Sequence, residues 1–145
     1  MSPWLHIIGF GEGELPTLPP AATVLGPERA ISRLSAAPRA EGDRHETRSG
    51  RPRLQSWRSP RLEAMLAQTL EHRGTPTVLL ASGDPLWFGF GATLARHLSS
   101  DEFSVTPAAS SFQLAAARLR WPLQHVTTLS LHARPPELIH PHVTP

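Results

Sequence analysis

Residues 79–91 read LLASGDPLWFGFG, and this stretch decides the fold. Thr77 to Ala81 is a continuous apolar run rich in strand formers, the mark of a strand covered on both faces. It breaks at Ser82-Gly83-Asp84-Pro85, after which Ala92 to Leu98 reads as a helix. A buried strand that turns straight into a helix is the unit from which α/β domains are built. Asp84 stands at the mouth of that strand, where it can accept hydrogen bonds from ligand hydroxyls. An Asx-turn that only closes the loop accounts for it equally well. Trp87 and Phe88 can wall a flat ligand, although aromatic residues are more often core than site.

Working toward the N-terminus, Ser59-Pro60 opens a predicted helix. Leu62, Met65, Leu66, Thr69 and Leu70 share one of its faces and Gly74 ends it. From Ser35 to Arg61, seven arginines (Arg39, Arg44, Arg48, Arg51, Arg53, Arg58 and Arg61) mix with Gly, Pro, Ser and acids. So little apolar surface cannot offset the entropy of ordering, and a mobile loop is expected. Ala21 to Leu25 is a short strand candidate, and the three prolines between Leu15 and Pro20 forbid a regular helix. Leu5 to Ile8 is a buried strand opening into Gly9-Phe10-Gly11-Glu12-Gly13. That turn fails the dinucleotide-binding fingerprint, because its glycines are misplaced and no clean helix follows.

Toward the C-terminus, Phe103 to Thr106 is another strand. Ser110 or Ser111 can cap a helix from Phe112 to Leu119, and the turn before it can meet a carboxylate or adenosyl group. Val126 to Leu131 is a last strand candidate, and Ala133 to Pro145 is rich in Pro and His. The alternation of strand, turn and helix predicts a largely parallel sheet, whose ligands bind beyond the carboxyl ends of the strands.

Composition sets the outer bounds. The 145 residues suffice for one domain with a core, and the apolar fraction of 39% with 16 prolines implies much loop. No run approaches the roughly 18 to 20 apolar residues that span a bilayer, so no membrane partner is expected. The first residues lack the basic region of a signal peptide. Without cysteine there is neither a disulfide nor a thiolate metal site. All 14 basic residues are arginine, which raises the isoelectric point to about 10.9 although the formal charge is only +2. The late histidines His125, His132, His140 and His142 do not make a metal site: Pro141 stiffens their spacing and Glu137 is the one carboxylate near them.

The three turns together resemble the tetrapyrrole methylase family, and within it the branch that methylates C5 of a precorrin. The matching blocks are IIGFGEG (7–13), ASGDPLWFGFGATL (81–94), TPAASSFQLAAARLRWP (106–122) and LSLHARP (129–135). The last three keep the family's order and spacing. The resemblance implies an α/β fold of tetrapyrrole methylase type, a largely parallel sheet flanked by helices. Residues 1–122 are expected to form its first subdomain, with 35–61 as the arginine-rich loop. Residues 123–145 would begin a second subdomain that the chain does not complete.

The same resemblance implies S-adenosylmethionine as cofactor, held between two subdomains, and C-methylation of an acidic precorrin in cobalamin biosynthesis (C5 of precorrin-6Y or cobalt-precorrin-7). Glu12, Gly83, Asp84, Trp87, Ser110 and Ser111 fall at its cofactor-contacting positions. His132 and Arg134 are candidates for the substrate carboxylates, and solvated surface residues would look the same. No general base is assigned, because methyl transfer from a sulfonium rests on alignment. A cytoplasmic setting follows, and a homo-oligomer is compatible with it. Four features depart from the family pattern. Most of the helix after the first turn is missing, Ala30 stands for a histidine, and Arg120 and Ala133 stand for glycines.

Two other readings fit the residues. One is a catalytically inactive remnant or assembly surface, which would bind no S-adenosylmethionine. The other is a basic RNA-binding module built on the arginines of 39–61, which requires a steep salt dependence. Trp57 is the one aromatic residue interleaved there, so nucleic acid is disfavoured.

Overall fold

The apolar run LHIIGF forms β1 (Leu5–Phe10), and TVLLAS forms β4 (Thr77–Ser82). They lie side by side in parallel, with Ile7 opposite Leu79 and Ile8 opposite Leu80. The computed structural model that shows this describes residues 2–13, 15–36, 52–132 and 134–143. Three further strands, β2 (Thr23–Gly26), β3 (Arg53–Ser56) and β5 (Phe103–Thr106), complete a five-stranded sheet of order β3-β2-β4-β1-β5. Every pairing is parallel. The helices are α1 (Glu28–Ala36), α2 (Leu62–Leu70), α3 (Phe90–Leu94) and α4 (Ser111–Leu119). By contacts the chain divides into two units, Met1–Ser110 and Ser111–Pro145.

In the first unit the strand period of two sends alternate side chains to opposite faces of the sheet. Ile8, Phe10, Val24, Val78 and Leu80 face one way, covered by Ala30, Ile31 and Leu34 of α1 and by Leu15, Leu18 and Ala21. Leu5, Ile7, Leu79 and Ala81 face the other way, under Leu66 and Leu70 of α2 and Leu94 and Leu98. Leu5, Ile7 and Leu79 have no solvent exposure. The central strands are therefore buried on both faces, as their unbroken apolar runs predict.

The connection from β1 to β2 contains no helix among its described residues, in keeping with its prolines. It covers the sheet as irregular chain, with Leu18 and Ala21 buried where a helix would otherwise lie. The helix α1 has no counterpart in the sequence reading, because its buried residues are few: Ala30 and Ile31.

Two expectations need correction. The stretch from 35 to 61 is not a loop at its end: Arg53–Ser56 pairs with β2, Arg53 opposite Thr23 and Ser56 opposite Gly26. Backbone pairing with a distant strand supplies the order that local composition cannot, and Leu54 packs against the core. Residues 37–51 lie outside the described residues. Val126 to Leu131 is not a strand either. It runs between two short 3-10 segments, Leu123–His125 and Pro136–His142, and no strand of its own unit is present among the described residues to pair with it.

The helix α2 begins close to its predicted start, with the Ser59 hydroxyl accepting the Arg61 N–H at 3.2 Å. Its predicted apolar face is only partly right. Thr69 of that face is buried as expected, but Leu62 is exposed and Gln68, outside the face, is buried. The Gln68 carboxamide accepts the Arg58 N–H at 3.0 Å and donates to the Ser56 carbonyl at 3.1 Å, so it joins α2 to the end of β3.

In the second unit α4 ends at Arg120, whose φ of 58° is left-handed. The Trp121 N–H closes back on the Ala116 carbonyl at 2.9 Å, the bond of a Schellman cap. Leu119, Trp121, Leu123, Leu131, Leu138 and Val143 of this unit are all exposed.

Candidate functional site

Because every strand runs the same way, all five carboxyl ends open on one edge of the sheet, where α/β proteins place their ligands. β1, flanked by β4 and β5, brings three turns together there. The contact between them is made by backbone. A β-carbon on Gly9 would collide with the Gly83 carbonyl oxygen and lie 2.6 Å from the Ala108 nitrogen. The Gly83 N–H donates to the Phe10 carbonyl at 2.7 Å, and the Ala108 N–H reaches the Gly83 carbonyl at 3.4 Å. Gly83 itself has a φ of +64°, and a β-carbon there would stand 3.1 Å from the Ser110 Cα. Both glycines are thus needed for the turns to meet at all.

The SGDP turn is held by Asp84. One carboxylate oxygen accepts the Leu86 N–H at 2.9 Å, and the Asp84 carbonyl accepts the Trp87 N–H at 3.1 Å. The Asx-turn is therefore real, and it occupies one of the two carboxylate oxygens. Pro85 is fully buried, and its carbonyl accepts the Ala92 N–H at 3.1 Å. Gly89 and Gly91 crowd that carbonyl too: their β-carbons would lie 2.6 and 2.7 Å from it.

Between these fixed points the loop bulges outward. Phe88 has a φ of 57°, and Leu86, Trp87 and Phe88 are 49%, 51% and 38% exposed. The Trp87 and Phe88 rings meet edge to face with centroids 5.7 Å apart. This apolar surface is not core.

The structure brings Gly83 into contact with Ser110, which is buried, beside the turn that carries Glu12. Glu12 is exposed, flanked by two glycines whose would-be β-carbons meet nothing within 4 Å. Ser111, His132 and Arg134 belong to the second unit. There Ser111 opens α4, the His132 N–H reaches the Ser130 hydroxyl at 3.3 Å, and the Arg134 N–H reaches the Leu131 carbonyl at 3.2 Å.

Three contacts near this edge have no sequence signature, because each joins residues far apart in the chain. Trp57 meets Phe90 edge to face at 5.6 Å, tying the turn after β3 to the start of α3. Glu28 sits past the end of β2, its carboxyl held below the usual range mainly by the Ser56 hydroxyl and then by Ser32. Arg33 donates to the carbonyl of Gly13 at 2.7 Å.

The open backbone at Gly11 and Gly13, the free side of the Asp84 turn and the exposed rings of Trp87 and Phe88 suit a ligand with polar groups and a flat apolar part. An adenosyl-amino acid is such a ligand. Among the described residues no three His, Cys, Asp or Glu cluster to hold a metal ion. No helix among them is long and apolar enough to cross a membrane.

A parallel α/β sheet with its glycine turns gathered on the carboxyl edge describes a class of ligand-binding domain rather than one family. The family follows from the sequence: the model of the tetrapyrrole (corrin/porphyrin) methylases matches residues 7–143, and the chain belongs to that family. It is 40% identical, over its whole length and 34% of the relative's, to the precorrin-6Y C(5,15)-methyltransferase [decarboxylating] of a Sinorhizobium species. Over 49% of its length it is 31% identical to the cobalt-precorrin-7 C(5)-methyltransferase of Salmonella typhimurium, matching 35% of that protein. The crystal structure of the cobalamin biosynthesis precorrin-6Y methylase from Archaeoglobus fulgidus superposes with a TM-score of 0.63 at 25% identity. That match covers 93% of this chain and 68% of the other. The chain thus spans about a third of the length of these two curated relatives.

Proposed function

We propose that this chain carries the S-adenosylmethionine side of a C-methyltransferase that acts on C5 of an acidic precorrin, precorrin-6Y or cobalt-precorrin-7, in cytoplasmic cobalamin biosynthesis. The observation that carries the reading is the convergence of the 9–13, 83–89 and 107–110 turns around Gly9 and Gly83. When bound, S-adenosylmethionine supplies a sulfonium methyl group to a nucleophilic ring carbon. The chain's own work is to bind and align, which is where most of the rate of such a displacement arises.

In this reading Gly83 and Ser110 form the floor of the site, with the exposed backbone around Glu12 at its side. Asp84 uses the oxygen left over from its Asx-turn to accept a ligand hydroxyl, and Trp87 covers an apolar face. On the family resemblance alone, Ser111 joins the cofactor side, and His132 and Arg134 meet ring carboxylates. Residues 1–122 then form a first subdomain and 123–145 the opening of a second, and self-association into a homo-oligomer is compatible with this role.

Titration calorimetry of the purified chain with S-adenosylhomocysteine tests the proposal. The expected result is saturable binding that Asp84→Ala weakens. A folded chain that gives no heat with S-adenosylhomocysteine or S-adenosylmethionine overturns it in favour of an inactive remnant.

A further inference from the structure

The turn after β1 is the least packed of the three. Gly11, Glu12 and Gly13 are exposed, and β-carbons at Gly11 and Gly13 would touch nothing. Two glycines in three residues also make this backbone costly to order. Packing holds the chain as far as Gly9 and Phe10, where Gly83 and Ala108 close in. Beyond that point, a single conformation needs polar ties.

Arg33 provides one. Its guanidinium Nη2 donates to the Gly13 carbonyl oxygen at 2.7 Å, across 20 residues of sequence. A charged donor makes this stronger than a neutral hydrogen bond. Arg33 lies in the last turn of α1, where its charge also suits the helix dipole. That helix is anchored by Ala30 and Ile31, which pack in the same cluster as Ile8 and Phe10 of β1. The guanidinium is therefore mounted on a helix fixed to the very strand that feeds the turn.

We infer that Arg33 is a positioning residue: by holding the Gly13 carbonyl it sets the Gly11–Gly13 backbone and Glu12 in the arrangement that meets the cofactor. The inference rests on the methyltransferase reading for its ligand, but not for the pinning of the turn. Arg33 does not itself anchor α1, so its loss should leave global stability nearly unchanged.

The test uses the full chain with Arg33→Ala, Arg33→Met and Arg33→Lys, read by backbone 15N relaxation and by calorimetry with S-adenosylhomocysteine. Arg33→Ala is expected to lower the order parameters of residues 11–13 and to weaken S-adenosylhomocysteine binding about fivefold, as the loss of one exposed charge-assisted bond implies. The urea midpoint should stay in place. Arg33→Met keeps the apolar stem and should match Arg33→Ala, while Arg33→Lys keeps a charged donor and should recover part of both effects. Order parameters at 11–13 equal to wild type in Arg33→Ala overturn the inference. So does a looser turn with unchanged affinity, which would make the bond structural only. A wild-type chain that binds no S-adenosylhomocysteine overturns the methyltransferase reading instead. The relaxation data then decide the pinning alone: a looser turn in Arg33→Ala upholds it, and equal order parameters overturn it.

Discussion

The Gly83 carbonyl oxygen occupies the space that a β-carbon on Gly9 would need. Gly9 lies in β1 and Gly83 just past the end of β4, the parallel strand beside it, and their contact helps draw the turns after β1, β4 and β5 into one place. Nothing flexible can yield there, since both obstacles to a Gly9 β-carbon nearest at hand are backbone atoms, the Gly83 oxygen and the Ala108 nitrogen.

Gly9→Ala should therefore cost about 2 to 3 kcal/mol of stability in urea unfolding, the usual scale for forcing atoms into a filled interior. Gly11→Ala makes the control. A β-carbon there meets open space, so the change should stay within about 0.5 kcal/mol. Equal midpoints for the two variants would show that the turns do not converge as described.

At the opposite edge of the sheet the Glu102 carboxylate accepts five hydrogen bonds. Arg73 binds it in a fork with both distances 2.6 Å, the Ser99 N–H and hydroxyl reach it at 3.0 and 2.9 Å, and the Trp4 indole at 3.2 Å. The Arg73 guanidinium foremost, and then the Ser99 N–H, hold its carboxyl at about 2, down from an ordinary 4.5. A carboxyl whose folded-state value lies below its unfolded one favours folding above the unfolded value. That contribution is fully present above 4.5 and is lost as the pH falls toward 2. Glu102→Gln should remove this part of the acid sensitivity, seen as a flatter plot of unfolding midpoint against pH between 5 and 2. An unchanged slope would mean that other carboxyls govern acid unfolding.

These two relationships differ in how far the sequence discloses them. The strands β1 and β4 were legible because each is an apolar run, and burial on both faces leaves that mark; β5, half-buried at the edge of the sheet, showed through the strand formers Phe103, Val105 and Thr106 ahead of Pro107. The SGDP turn was legible as a turn, since its proline and aspartate act locally. The strand β3 was not, because the residues Arg53 to Ser56 are polar and owe their order to β2. The last strand candidate failed for the converse reason: Val126 to Leu131 has the strand-forming residues but no partner strand among the described residues of its unit. In the candidate site, Asp84 could be named from its own turn and Gly83 from the family resemblance, whereas Arg33 could not, because its partner Gly13 lies 20 residues away.

One departure from the family pattern has a direct physical consequence. On the family resemblance a glycine is expected at 120; Arg120 stands there with a left-handed φ of 58°, just beyond the end of α4. A side chain there costs about 1 kcal/mol or more that glycine avoids. Arg120→Gly should therefore raise stability by about 1 kcal/mol, since the position lies past the helix and the usual penalty of glycine in a helix interior does not arise. Thermal unfolding checks it, and a lower melting temperature would show that the Arg120 side chain makes compensating contacts.

The exposed rings separate a ligand wall from a structural loop. Trp87 is 51% exposed, and its ring contact is with Phe88, itself 38% exposed. The fold around Pro85, Gly89 and Gly91 does not need the Trp87 ring, because those residues are locked by backbone contacts to the Pro85 carbonyl. Trp87→Ala should then change stability by less than about 0.5 kcal/mol, as surface substitutions generally do. It should weaken S-adenosylhomocysteine binding by about fivefold or more, because an aromatic contact to a flat ligand contributes on the order of 1 kcal/mol. Urea unfolding and calorimetry on the same preparation read both quantities. Loss of stability with intact binding would return Trp87 to the core, and loss of binding alone would establish it as part of the site.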